Sequence, residues 1–212
     1  MSDPRVESVN AGKARPVPWG SLEYSAIDKR PVDGPVRVRP LGLEPDEIAD
    51  TKHHGGPDKA VYAFAAEDLD SWAVEFGRVI PAGGFGENLT TRGVDLNETR
   101  IGERWRVGSV LLEAANVRIP CSVFAGFVDR PGWVRRFTES GRPGVYFRVI
   151  EPGLLQTGDP IEMVENRSHS VTIGLMFRAL TTERALLPRL LDEPRVAPEA
   201  KKRAERYVAR NS

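Results

Sequence analysis

The amino-acid sequence holds a single cysteine, Cys121, in the stretch VRIPC at residues 117–121. Pro120 restricts Ile119 to an extended backbone, which gives the thiol a fixed direction at the end of a strand. Arg118 stands three residues before the cysteine. A nearby cation favours the thiolate, the form that attacks electrophiles and binds metals. The alternative is a buried thiol that acts only as a small apolar side chain.

A second stretch, TKHHGGPDKAV at residues 51–61, places four basic side chains around two glycines. Glycines let the backbone approach a ligand and offer its N–H groups, while lysine and histidine donors neutralise a phosphate. The candidate ligand-binding residues here are Lys52, His53, His54 and Lys59. The alternative is a glycine turn between strands with solvated charges. A zinc site is disfavoured, because the side chains of adjacent histidines diverge.

A third stretch, GGFGENLTTRG at residues 83–93, contains a glycine cluster that is not a dinucleotide fingerprint, since Leu89 stands where the third glycine is needed. The Asn88 amide both donates and accepts, which suits the edge of a heterocycle or a metal-bound oxo group, although a capped turn is the alternative. A cysteine protease also stays open, with His53 or His54 as the base and Asn88 orienting it.

Composition limits the class of protein. Thirty basic and thirty acidic residues cancel, which removes a global attraction to nucleic acid or anionic lipid. A single cysteine excludes an internal disulfide framework, so a reducing compartment is favoured. Neither a signal peptide nor a run of roughly eighteen apolar residues is found, and a cytoplasmic protein is expected.

The elements that must position these residues are mostly strands. Up to residue 165, short apolar runs are bounded by turn-forming residues: PVRVRPLGL, AVYAFA, GSVLLEAANVRI, VYFRVI and IEMVE. In VYFRVI, Val145, Phe147 and Val149 face one side and Arg148 the other, the alternation of a half-buried strand. The spacing predicts a mainly β fold, either a barrel or a sandwich.

Helical patterns interrupt the strands and then follow them. AAEDLDSWAVEFGR has an apolar stripe and Gly77 as its C-terminal stop, and RPGWVRRFTESG begins near Pro131 and ends at Gly141. Beyond residue 168 we predict three short helices, over residues 171–180, around residues 186–191, and over residues 200–208. None could stand alone at such length, so they must pack on each other or on a partner chain.

Taken in order, these stretches resemble the MOSC family, the domain named after the C-terminal part of molybdenum cofactor sulfurases, and within it the YiiM group. The resemblance rests on VNAGK, AIDKRPVDGPV, LGLEPDEIADTKHHGGPDKAVYAF, FGENLTTRGV, IGERWRVGSVLLEAANVRIPC, GRPGVYFRVIEPG and TGDPIEMV. It covers nearly the whole chain. It implies a MOSC-type β-barrel with a few surface helices over residues 1–167 and a small C-terminal three-helix domain over residues 168–212.

The resemblance also implies a cofactor, the molybdenum cofactor (Mo-molybdopterin), which is a pterin dithiolene with a terminal phosphate. Cys121 matches the family's thiolate ligand and is therefore the expected metal ligand and catalytic residue, since a soft anionic sulfur suits a thiophilic metal. The residues expected to bind the pterin and the phosphate are Lys52, His53, His54, Lys59, Asn88, Arg118 and Arg142. Pro45 departs from the glycine common in the group and cannot adopt a positive φ, so that turn must be rebuilt.

The activity implied by the resemblance is a molybdenum-dependent oxidoreductase that reduces N-hydroxylated compounds, such as hydroxylaminopurines or amidoximes, to amines or amidines. One cysteine cannot ligate an iron–sulfur centre, so electrons are expected from a separate flavin or iron–sulfur reductase. The helical tail could recruit that reductase or build a homodimer. Two alternatives stay open: a non-catalytic carrier of the molybdenum cofactor, and a cysteine-dependent sulfur transferase without molybdenum.

Overall fold

A computed structural model of the protein describes residues 3–19, 22–50, 55–165 and 168–211. Its strands are β1 (Arg5–Ala11), β2 (Arg15–Pro16), β3 (Tyr24–Ser25), β4 (Arg30–Pro31), β5 (Val36–Arg39), β6 (Gly42–Leu43), β7 (Val61–Ala65), β8 (Leu89–Arg92), β9 (Arg104–Val107), β10 (Val110–Val117), β11 (Val145–Glu151), β12 (Gly153–Leu155) and β13 (Ile161–Glu165). Its α-helices are α1 (Ala66–Phe76), α2 (Ser122–Val128), α3 (Trp133–Ser140), α4 (Ile173–Leu180) and α5 (Pro198–Asn211). Two 3₁₀ helices span Pro57–Lys59 and Arg184–Asp192.

An eight-stranded sheet forms the centre of the fold, in the order β13, β9, β10, β11, β7, β8, β1, β4. Its neighbours are antiparallel except for β7 and β8, which are parallel. A parallel pair needs a crossover, and α1 lies in the connection between these two strands. A smaller sheet has the order β12, β5, β6, and β2 pairs with β3.

Near the start of β13, the strand at one end of the large sheet, the chain approaches β1, which lies near the other end. The Val6 N–H donates to the Asp159 carbonyl at 2.9 Å, and Arg5 forms an isolated bridge with Pro160. The Gly158 N–H donates to the Val6 carbonyl at 2.8 Å and the Ile161 N–H to the Pro4 carbonyl at 2.9 Å. In the described part of the chain these contacts are not a regular strand pairing, so a closed barrel is not confirmed. The observed architecture is a mixed sheet and helix fold, richer in helices than the mainly β fold that was predicted.

The predicted strands and surface helices are present, with one boundary corrected. The five predicted strand segments appear as β5 with β6, β7, β10, β11 and β13. Gly77 ends α1 in the left-handed conformation (φ 63°), and its N–H caps the helix carbonyls. Gly141 ends α3 in the same way (φ 68°), but α3 begins at Trp133, so Pro131 precedes the helix.

The C-terminal helices share a hydrophobic core with the sheet. Met176 of α4 and Leu190 of the second 3₁₀ helix belong to the same buried cluster as Trp105 of β9 and Phe147 of β11. The division into domains at residues 167 and 168 remains a prediction. No helix in the described part of the chain is long and apolar enough to cross a membrane.

A second, aromatic cluster holds α1, α2 and α3 against β7. Phe124 of α2 meets the Trp133 ring at 5.3 Å and the Phe137 ring at 5.1 Å, both edge to face. Phe85 and Trp72 complete the contact with the same rings. Such pairs contribute beyond the area they bury, so they fix the position of α2 and of the residue that precedes it, which is the cysteine.

Candidate functional site

One cavity collects several of the residues selected from the sequence. It is formed by residues 46–50, β7, β11 and the start of α2, and its empty space, including the open mouth, is about 640 Å³. Four predicted site residues line it: Lys59, Asn88, Arg118 and Cys121. Residues that were not predicted line it as well, among them Lys29, Asp46, Tyr62 and Tyr146.

Cys121 occupies the N-cap position of α2. Its backbone is extended (φ −128°, ψ 174°), and its carbonyl oxygen accepts the Ala125 N–H at 2.9 Å, which starts the helix. The residue is half-buried. It lines both the main cavity and an adjoining recess, which Ile119, Pro120 and Glu199 help to form. Cys121 therefore borders both spaces.

Arg118 brings a buried positive charge to the cavity beside the cysteine. The residue is 6% exposed, and its guanidinium stacks over the rings of Phe124 (4.4 Å) and Tyr62 (5.2 Å). Its Nη1 donates to the Tyr146 hydroxyl at 3.3 Å, but its Nε has no hydrogen-bond partner. Among the described residues no carboxylate lies within ion-pair distance of it. A buried charge without a counter-charge is costly, so the guanidinium suits an anionic ligand.

The charge state of Arg118 follows from its surroundings. Burial lowers the pKa of the guanidinium, but the oxygens of Tyr146 and Tyr62 and the Cys121 sulfur raise it, and the net change is upward. Burial also raises the pKa of the Tyr62 phenol well above its ordinary value, so this hydroxyl stays neutral and donates to the Pro143 carbonyl at 2.8 Å. Arg118 is therefore a permanent cation in a wall of aromatic side chains.

Asp46 is the centre of the polar wall opposite. Its carboxylate accepts from Lys29 Nζ at 2.6 Å, from the Gly12 N–H at 2.7 Å and from Asn88 Nδ2 at 2.9 Å. Burial lowers the pKa of the Lys29 ammonium, and the Asp46 carboxylate opposes that change. Asn88 Oδ1 accepts the Tyr62 N–H at 3.1 Å. The Asn88 amide thus holds the wall together within the protein, in addition to facing the cavity.

Glu87 shapes the glycine-rich stretch that ends at Asn88. This buried carboxylate accepts the Gly83 N–H at 2.7 Å, the Phe85 N–H at 3.0 Å and the Thr90 hydroxyl at 2.9 Å. Burial raises the pKa of Glu87, while these hydrogen bonds lower it in part. The stretch is therefore a tightly bonded turn that supports the cavity, in agreement with the turn considered from the sequence.

An ion pair between Lys59 and Glu199 lies in the adjoining recess. Lys59 Nζ is 2.9 Å from Glu199 Oε1, and the buried Asn116 amide donates to the same oxygen at 3.0 Å. The Lys59 side chain is 15% exposed and that of Glu199 is 62% exposed. Because Glu199 belongs to the first turn of α5, the C-terminal segment contributes a wall of the site, which was not predicted.

Not all predicted site residues are brought together. Three of them lie outside the described part of the chain: Lys52, His53 and His54. Arg142 does not line the cavity, because its Nη1 lies 3.2 Å from the Asp68 carboxylate and 3.5 Å from that of Asp95. The structure therefore groups Lys59, Asn88, Arg118 and Cys121, and leaves Arg142 in a separate charge cluster.

The turn that contains Pro45 delivers Asp46 to the cavity. Gly42 adopts a positive φ of 136°, and the Asp46 N–H donates to the Leu43 carbonyl at 3.0 Å. The positive φ of this turn is thus taken by Gly42, a residue that tolerates it. Pro45 is part of this turn, and Asp46, the next residue, lines the cavity.

The cavity places Cys121 beside the buried Arg118 guanidinium, a combination suited to an anionic ligand that carries a thiophilic centre. The family model described as "MOSC domain" matches residues 50–162. This chain belongs to the MOSC domain family, which is associated with binding of the molybdenum cofactor.

Individual relatives agree with this assignment. "Protein YiiM" of Escherichia coli (strain K12) is 35% identical over 168 residues, which cover 78% of this chain and 74% of that protein. A protein named "Reductase" from Gibberella moniliformis is 32% identical over 161 residues, which cover 74% of this chain and 28% of that protein. The crystal structure of YiiM from Geobacillus stearothermophilus has a TM-score of 0.81 at 26% identity, over 96% of this chain and 98% of that one.

Proposed function

We propose that the protein is a molybdenum-cofactor-dependent reductase of N-hydroxylated compounds. The observation that carries the proposal is the buried Arg118 cation beside Cys121, with an unpartnered Nε in a cavity lined by both residues. An anionic dithiolene cofactor would supply the negative counter-charge for this cation, and a cysteine thiolate is a suitable ligand for its metal. Family membership and the relative named "Reductase" support the same chemistry.

Several residues of this chain would hold the cofactor. Cys121 would bind the metal through its sulfur, and Arg118 would face the anionic dithiolene. Lys59, together with the predicted Lys52, His53 and His54, would hold the terminal phosphate. Asn88 and Asp46 would act mainly by keeping the wall of the cavity in place, because their polar atoms are bonded to one another and to Lys29.

When bound, the cofactor supplies a two-electron redox centre. For an amidoxime the balance is R–C(NH₂)=NOH + 2 e⁻ + 2 H⁺ → R–C(NH₂)=NH + H₂O, in which the N–O bond breaks and the oxygen leaves as water. Lys29 would give one of the two protons, because it lines the cavity and burial lowers the pKa of its ammonium. The electrons would come from a separate flavin or iron–sulfur reductase.

The proposal is tested by comparing wild type with Cys121→Ser, both expressed in a host that makes the cofactor. We expect the variant to stay folded by circular dichroism and to lose molybdenum by about tenfold or more, with a matching loss of benzamidoxime reduction by chemically reduced viologen. Full metal content and turnover in the variant would exclude the cysteine as ligand. Wild type that holds molybdenum without turnover would instead be a carrier, and a persulfide on Cys121 without molybdenum would indicate a sulfur transferase.

A further inference from the structure

Glu199 reaches the recess beside Cys121 from the C-terminal helix. An acidic residue in the first turn of a helix is favourable for the helix itself. That role does not require the two contacts observed, in which one carboxylate oxygen meets both Lys59 Nζ and the Asn116 amide. Asn116 is buried in β10, and Glu199 lines the recess together with Cys121. The C-terminal segment thus places a negative charge in the recess that Cys121 also lines.

We propose that Glu199 is a specificity-determining residue, which makes this recess admit neutral and cationic N-hydroxylated compounds in preference to anionic ones. The inference rests on the proposed function for the substrate class. Lys59 would attract anions if it stood alone, but the Glu199 carboxylate offsets its charge at 2.9 Å. The amidine formed from an amidoxime is a cation at neutral pH, so the carboxylate suits the product as well as the substrate.

The size of the effect follows from the charge that a substitution changes. Glu199→Gln removes one negative charge from the recess, whatever other groups contribute to its field. A unit charge about 8 Å from a charged ligand, in a recess open to solvent, changes a rate or an affinity by about three- to tenfold. Lys59→Gln changes the charge of the same recess by one unit in the opposite direction.

The single cysteine allows a test that needs no cofactor. Full-length protein from a host that does not make the cofactor is alkylated at Cys121 with iodoacetate, an anion, or with neutral iodoacetamide, and the rates are followed by mass spectrometry. Dividing the two rate constants cancels any change in the thiolate fraction. We expect the rate constant for iodoacetate divided by that for iodoacetamide to rise about three- to tenfold in Glu199→Gln. The same ratio should fall by a similar factor in Lys59→Gln.

The matched control is Glu205→Gln, an exposed acid later on the same helix, which should leave the ratio unchanged. A folded Glu199→Gln protein with the wild-type ratio would overturn the inference. With holoenzyme and reduced viologen, kcat/KM for 4-carboxybenzamidoxime relative to benzamidoxime should rise by the same factor in Glu199→Gln. If wild type reduces neither compound, the proposed function fails, and the alkylation ratio alone then decides the role of Glu199.

Discussion

Replacing Asp46 by asparagine tests whether the wall of the cavity depends on a buried charge pair. The side chains of Lys29 and Asp46 are 9% and 8% exposed, so solvent screens their interaction little. The Asp46 carboxylate also accepts from the Gly12 N–H and the Asn88 amide. Removing one partner of a buried pair leaves an uncompensated charge, at a cost of about 3–5 kcal/mol. We expect Asp46→Asn to lower the free energy of unfolding by that amount.

The assay is urea-induced unfolding followed by circular dichroism and tryptophan fluorescence. Adding Lys29→Met removes the uncompensated charge, so the free energy of unfolding of the double variant should exceed that of Asp46→Asn by at least about 1 kcal/mol. When the pKa of a lysine is lower in the folded state than its unfolded value of about 10.4, the free energy of unfolding of the protein increases as pH rises towards that value. Because Asp46 holds the pKa of Lys29 up, its loss lowers that pKa further, and the deficit in the free energy of unfolding should narrow as pH rises towards about 10.4. A single substitution that costs less than about 1 kcal/mol, with no dependence on pH, would refute this reasoning.

Two further predictions concern Asp68 and Gly86. Burial raises the pKa of Asp68 from 3.8 to about 6 in spite of Arg142, so the folded state keeps a proton that the unfolded chain loses, and stability falls as pH rises through this window. Asp68→Asn lacks this titration. Measured by urea unfolding, the free energy of unfolding of the variant should increase relative to that of wild type by up to about 3 kcal/mol from pH 4 to 7. A difference between the two proteins that stays constant with pH would contradict the raised pKa of Asp68. Gly86 has φ 79°, and a Cβ there would lie 2.9 Å from Ile27 Cγ1, so Gly86→Ala should cost about 1–3 kcal/mol in thermal unfolding. Gly34 has φ 73° with open space around it, so Gly34→Ala should cost less, and equal costs would exclude the steric contribution.

The elements that could be predicted are those with local signals. The strand of residues 145–151 and the helix that ends at Gly77 are specified by alternation, by an apolar stripe and by a residue that tolerates a positive φ. α2 was missed because SVFAGFV is a short apolar run, whose period does not distinguish a helix from a strand. What makes it a helix is its packing on the aromatic cluster through Phe124, a tertiary contact that periodicity does not contain.

The same distinction applies to the site. Arg118 and Cys121 could be predicted as neighbours because three positions of chain connect them. The pair of Lys29 and Asp46 joins two segments without periodic pattern, and only the folded chain brings them together. Both residues do lie in stretches that carry the family resemblance, which was the available signal. Arg142 shows the converse, since its stretch matches the family while its guanidinium is held by carboxylates away from the cavity.

The meeting of β1 with the residues before β13 has a consequence for biosynthesis. β1 lies inside the large sheet, between β8 and β4, and its outer backbone groups also bond to residues 158 and 159. The backbone groups of β1 must therefore wait for a segment far later in the chain before their hydrogen bonds are complete. Contacts between such distant positions are formed slowly, so the nascent chain exposes an unfinished sheet edge until the later segment has been made.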